Sequence, residues 1–208
     1  MLSQIYKLLE SSDSTTSIPT DKWLSDLTLP VDTNWQNICK NMYSMTCNSK
    51  TQLIQYKILH RTHLTNHKLF RMGLSPNNTC PICTTSIDDY MHAMWHCPPI
   101  QAFWSEVVNR LSEILNFDLP IRPVVAIFGD LSAIKTPLRN HESFILISLP
   151  LAKKAILLNW KDRSKISINH WLNLLAEHSN LEKITAILKS KIDVYESTWL
   201  PFLNYLQS

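Results

Sequence analysis

Two glycines, Gly73 and Gly129, serve the whole of a 208-residue chain, where average usage would supply about fifteen. That shortage constrains the fold more than any other feature. A phosphate-cradling loop needs glycine so that backbone N–H groups can approach the ligand, so P-loop and Rossmann nucleotide sites are excluded. Hairpin turns need residues with positive φ, which disfavours a hairpin-rich β fold. Eleven prolines do the punctuation instead. With 45% hydrophobic and 18% charged residues, the chain has the apolar matter of a packed core. The expected class is all-α, an irregular helical bundle.

Apolar periodicity and end signals divide the chain. Asp32-Thr33 reads as the cap of a helix from Asn34 to Met45, with Trp35, Ile38, Cys39, Met42 and Met45 on one face. A second helix is expected from Lys50 to Leu64, and a short one from Asn66 to Met72, where Gly73 stands in the place of a C-terminal cap. Pro98-Pro99 opens a strongly amphipathic helix to Asn116. Leu119–Ile127 is Pro-punctuated and β-branched and reads as extended, with a turn at Phe128-Gly129-Asp130. Further helices are expected over His141–Lys161, from Ser167 onward, over Leu181–Lys191, and over Val194–Leu206 around Pro201. The expected organisation is a flexible lead-in (1–20), a helical domain with a metal knuckle (21–117), a connector (118–130) and a helical tail (131–208).

The texture changes between residues 74 and 100. Cys80-Pro-Ile-Cys83 is followed by His92 and Cys97, a C-x2-C-x8-H-x4-C pattern. Zinc takes four N/S ligands in a tetrahedron, and a C-x2-C turn points two sulfurs inward. His92 and Cys97 are five residues apart, about 140° around an ideal α-helix. The helix must therefore stop at Cys97 for both to face one ion, and Pro98-Pro99 supplies the stop. His92 and His96 at i, i+4 offer an alternative set. A Cys3His site of Cys80, Cys83, His92 and Cys97 is preferred, because a third thiolate suits a structural zinc. Four protein ligands leave no open position, so one structural Zn2+ is expected, not a catalytic one. The bland alternative is a group of unrelated core thiols.

Net charge is only +3, but it is unevenly spread. Between Thr33 and Ile87 there is no Asp or Glu, while Lys40, Lys50, Lys57, Arg61, Lys68 and Arg71 make the segment +6 and the remainder −3. An acid-free cationic run attracts phosphate. Lys50, Lys57, Arg61, Lys68 and Arg71 are the candidate nucleic-acid contacts. Lys57, Arg61 and Lys68 would share a face on a continuous helix, thickened by His60, His63, His67 and Arg71. The alternative is a solvated helix face. A second cationic group, Lys153, Lys154, Lys161, Arg163 and Lys165, is interrupted by Asp162. Trp35, Trp104, Trp160 and Trp171 fall at core spacing, Trp95 is the candidate for base stacking, and Cys39 and Cys47 read as buried apolar residues.

These residues together resemble the C-terminal region of LINE-type (non-LTR) retrotransposon reverse-transcriptase polyproteins, the part carrying the reverse-transcriptase zinc-binding domain. The resemblance starts at Leu53-Ile-Gln-Tyr-Lys-Ile-Leu-His60-Arg61-Thr-His63. It is strongest at Met91-His92-Ala-Met-Trp95-His96-Cys97-Pro98 with Phe103-Trp104, and it weakens through Pro123–Gly129, Phe144–Trp160 and Ile168-Asn-His-Trp171. One departure is Asn-Ser-Lys at 48–50, where such proteins often carry more arginine. The resemblance implies a zinc-knuckle and helical tail that holds RNA or single-stranded DNA beside a polymerase in the same polyprotein. It implies no catalysis of its own, no membrane and no small-molecule substrate. No Phe/Tyr-x-Asp-Asp polymerase setting is present. Asp88-Asp89, preceded by Ile87, reads as solvating the knuckle loop. The chain reads as a detached tail. No secretory leader or membrane-length apolar run is visible, so a reducing setting, nucleus or cytoplasm, is expected for its thiols. A helical protein-interaction module stapled by zinc, without nucleic-acid affinity, is the competing reading. An enzyme is a third class, and it would need a Cys/His pair such as Cys83 with His92 in a pocket.

Overall fold

The computed structural model describes residues 18–207 apart from 45, 47, 133, 135, 137 and 138. Most of the expected lead-in, Met45 and Cys47 lie outside the described residues. Among these described residues are nine α-helices: α1 Thr20–Leu27, α2 Trp35–Ser44, α3 Ser49–Leu59, α4 Asn66–Arg71, α5 Pro98–Leu115, α6 Pro123–Phe128, α7 Arg139–Leu158, α8 Ile168–Leu188 and α9 Ile192–Tyr205. A π-helical turn, His92–His96, and a 3-10 turn, Arg163–Lys165, complete the order. Among the described residues the only β feature is an isolated antiparallel bridge, Thr79 to Ile87. The all-α class is what the structure has.

α5 is the helix the others are built around. Pro98 and Pro99 occupy its first turn, where a missing N–H costs nothing. Ile100, Phe103, Trp104, Val107, Val108, Leu111, Ile114 and Leu115 are all buried, the stripe that a 3.6-residue period lays on one face. Asn116 ends the helix in the left-handed region, φ 48°. Against α5 pack α7, α8, α9, the π turn and the 3-10 turn, while α3 lies on α7. One hydrophobic cluster runs from Trp23 to Phe202, so helices on both sides of the 118–130 connector share a core. Trp23, Trp104, Trp171 and Trp199 are fully buried, and truncating one such ring costs about 3–5 kcal/mol. Each indole N–H has an acceptor: Trp23 to the Leu59 carbonyl, Trp104 to Met94, Trp171 to Ser148, and Trp199 to the Glu182 carboxylate. Trp35 and Trp160 are only half-buried.

Several local expectations are corrected. α2 is capped by Asn34, whose side chain accepts from the Asn37 N–H, and not by Asp32 or Thr33. α3 ends at Leu59, five residues early, because Arg61 turns left-handed at φ 51°. The departure at 48–50 has a local role: Asn48 caps α3, accepting from the Lys50 and Thr51 N–H groups. Within the stretch expected to be extended, Pro123–Phe128 is a helix. Val125, Ala126, Ile127 and Phe128 are all buried, and burial outweighs the weak β preference of a short branched run. The helices expected around Ser167 and Leu181 are one, α8, since no Gly or Pro interrupts them. Pro150 and Pro201 sit inside α7 and α9, where each lacks the N–H donor of its turn and its ring crowds the carbonyl four residues back. Gly73, φ 71°, closes α4 with a Schellman pair: Gly73 N–H to Phe70 and Leu74 N–H to Leu69.

Candidate functional site

Backbone hydrogen bonds close the cysteine element. Residues 80–86 form a loop pinned at its neck by Cys80 N–H to the Ser86 carbonyl, 2.8 Å, and Asp88 N–H to Asn78, 2.9 Å. Thr84 takes the left-handed conformation, φ 58°, that folds the Cys-Pro-Ile-Cys turn, and its N–H returns to the Cys80 carbonyl. Asn66 fastens the base of the loop to α4. Its amide donates to Asn77 and Thr79 carbonyls and accepts from Ser75.

His92 and Cys97 meet by a route that spacing did not reveal. Asp89 caps the turn at 90–96 through the His92 N–H, 2.7 Å. The chain then runs as a π turn, closing Cys97 N–H onto the His92 carbonyl at 2.8 Å. An i→i+5 ring winds more loosely than an α-turn, so Cys97 returns toward the His92 side. The backbone becomes extended at Cys97, ψ 129°, which is the stop that Pro98 predicts. Trp104 holds the π turn by donating to the Met94 carbonyl. Trp95 lies 5.9 Å from the Trp104 ring and packs against the core, so it is half of an aromatic pair, not a free stacking platform.

One ligand atom from each of Cys80, Cys83, His92 and Cys97 lies within 4.8 Å of the others. Cys80 Sγ and Cys97 Sγ are 3.7 Å apart, and Cys83 Sγ and His92 Nε2 3.4 Å. A tetrahedron with Zn–S near 2.3 Å has S···S edges of about 3.8 Å. The donor set and spacing fit zinc. His96 is exposed and stands outside the group. The sulfurs sit in unlike fields. The Thr85 hydroxyl, with backbone N–H groups of Thr85 and Ser86, holds the Cys83 thiol down to about 6. Burial and the neighbouring Cys80 push the Cys97 thiol up to about 12. A dication that needs thiolates must displace the Cys97 proton.

Asp88 does not solvate the loop. It is 2% exposed, its Oδ1 accepts from Arg163 and its Oδ2 from the Asn66 N–H at 2.8 Å. Arg163, expected in a surface cationic group, is likewise 2% exposed, and its Nη2 also reaches Cys80 Sγ at 3.3 Å. Lys153 leaves that group as well. It is fully buried and donates to the Ile127 carbonyl at the end of α6, where a cation meets the negative end of the helix.

The candidate nucleic-acid residues divide. A groove of about 770 Å³ beside the cysteine element is lined by Arg61, Lys68 and Arg71 with Lys22, His63 and His67, by one acid, Asp89, and by Thr65, Met72, Ile87 and Tyr90. Lys68 and Arg71 are exposed and have no ion pair among the described residues. Arg61 is committed to the fold: it bonds Asp26 at 2.6 Å and lies 3.9 Å over the Trp23 ring. Lys57 is exposed on α3, and its charge, after burial, is a second cause of the lowered His63 pKa. Lys50 is elsewhere, in a second groove with Lys154, Leu53 and His178. Lys22 was missed because it precedes the acid-free segment and pairs with Asp26; nothing in its local sequence marks it as part of this groove.

Fold and site together define an all-helical protein carrying a Cys3His set with the donors and spacing of a tetrahedral metal site. Residues 3–104 match the model of a family described as zinc-binding in reverse transcriptase. The match contains Cys80, Cys83, His92 and Cys97 and ends inside α5, leaving Arg163 outside it.

Proposed function

We propose that the chain is a noncatalytic nucleic-acid accessory part of a LINE-type (non-LTR) reverse transcriptase, working inside the cell. One zinc ion, held by Cys80, Cys83, His92 and Cys97, would staple a loop-rich element that has little core of its own. With four protein ligands the metal supplies cohesion, not a reaction. The observation that carries the reading is the groove of Lys22, Lys68 and Arg71, with His63 and His67, built directly against that element. Its cations suit phosphate, and Tyr90 and Met72 offer apolar contact to sugar or base. Binding of this kind is salt-dependent and little sequence-specific. The test is an electrophoretic shift of the zinc-loaded chain with structured RNA and with single-stranded DNA across a salt series. Saturable binding that weakens as salt rises supports the reading; no shift at low salt removes it.

A second reading has its own observation. The groove between α3 and α8 is lined by Leu53, Ile54, Leu181 and Ile184, and Leu188 beyond it is exposed. Such a face suits a protein partner such as the polymerase part of the same polyprotein. Charge reversal at Lys68 and Arg71 discriminates, since it leaves a protein-docking role untouched.

A further inference from the structure

The last buried cation of the chain sits on the metal centre, yet it comes from the C-terminal helices. Arg163 opens the 3-10 turn between α7 and α8. Its Nη2 donates at once to Asp88 Oδ1, 2.5 Å, and to Cys80 Sγ, 3.3 Å. Its guanidinium carbon lies 5.5 Å from the Trp160 ring, and Trp160 is itself fastened to the Leu64 carbonyl, 2.7 Å. Segment 160–165 is thus anchored at Leu64 through Trp160, and at Asp88 and Cys80 through Arg163.

Charge arithmetic gives this contact its meaning. A dication with three thiolates and a neutral imidazole carries one net negative charge, and Asp88 adds another. Arg163 is the cation in hydrogen-bond contact with both. Its side chain and that of Asp88 are 2% and 3% exposed, so water screens the group poorly. A donor on a ligating sulfur stabilises the thiolate and fixes its lone pairs, as outer partners of metal ligands do. Asp88 orients that donor while its other oxygen holds the start of α4.

We propose that Arg163 is a positioning residue of the metal centre, so that zinc and the 160–165 segment hold each other in place. The inference rests on the reading that the cluster binds zinc. It makes the metal site a composite of the family-matched segment and a helical tail beyond it. By linkage, seating of the tail raises zinc affinity, and zinc raises protection of the tail by the same factor.

The experiment uses the full chain. Zinc affinity is measured by competition with a chromophoric chelator for the wild type, Arg163→Met, Arg163→Lys and Trp160→Phe, alongside cobalt(II) absorption spectra. Arg163→Met is expected to weaken zinc 10–100-fold and to shift the thiolate-to-cobalt charge-transfer band. Arg163→Lys should recover a large part of the affinity, while Trp160→Phe, which loosens the segment without touching sulfur, should weaken zinc clearly less than Arg163→Met and keep the wild-type band. Equal affinity in wild type and Arg163→Met overturns the inference alone, as does equal weakening by Arg163→Met and Trp160→Phe with unchanged cobalt bands. A wild type that takes up no zinc overturns both this inference and the reading beneath it. Should Arg163→Met fail to fold, hydrogen exchange of the wild type decides. Zinc removal must speed exchange at 160–165 well before α9, and protection there that ignores zinc overturns the coupling.

Discussion

Asp88 and Arg163 are 75 residues apart in sequence, and their side chains form a buried ion pair at the edge of the cysteine cluster. Removing Arg163 leaves Asp88 charged, dry and unpaired, and removing Asp88 strips Arg163 of its carboxylate partner in a dry site. Asp88→Ala is therefore expected to destabilise the chain by about 3–5 kcal/mol, read as a lower midpoint in urea. The double substitution Asp88→Leu with Arg163→Met should cost less than Asp88→Ala alone, since no lone charge remains. A double variant weaker than the single would contradict the charge argument.

Cys80→Ser should abolish the zinc signal of the native mass spectrum, from one ion per chain to none, and lower the thermal midpoint. His96→Ala is the control. His96 is exposed and outside the cluster, so its removal should leave both unchanged. Zinc retained by Cys80→Ser but lost by His96→Ala would reassign the ligands.

Lys153 gives the chain a pH dependence of known sign. Burial lowers its pKa from 10.5 to about 7, and its ammonium meets only a backbone carbonyl. Between those values the unfolded chain binds a proton that the folded chain does not, so stability rises with pH from about 7 to about 10 and falls as pH drops back toward 7. Lys153→Met removes that rise. The wild type should therefore gain on the variant by about 1 kcal/mol per pH unit as pH rises across the window, measured by urea unfolding at pH 7.5, 8.5 and 9.5. A difference that is flat with pH would mean that the lysine stays charged.

The two grooves separate the cationic candidates. Lys68→Glu with Arg71→Glu is expected to weaken binding to RNA at least tenfold and to flatten the dependence on salt by about two counterions. Lys50→Glu, in the other groove, should change affinity less than threefold. Equal losses from both would mean that the nucleic acid is not confined to the groove beside the cysteine element.

Much of this architecture was legible in residue order. α5 carries its start in Pro98-Pro99, its stop in Asn116 and its buried face in a regular apolar stripe. α4 ends where Gly73 stands. The clustering of Cys80, Cys83, His92 and Cys97 was readable from C-x2-C-x8-H-x4-C, because thiol and imidazole at such spacing have few other uses. These are local signals, and each depends on backbone conformation within a few residues.

What only tertiary structure decided involves residues whose neighbours come from far along the chain. The π turn that reconciles His92 with Cys97 is held by Trp104 and capped by Asp89. α6 is helical because every one of Val125–Phe128 meets the core, against its branched composition. Lys153 and Arg163 looked like surface cations, since nothing near them in sequence marks burial. Charge is counted by composition, but whether it faces water is set by packing, and a basic side chain is buried where the fold brings an acceptor: the Ile127 carbonyl for one, Asp88 and Cys80 for the other.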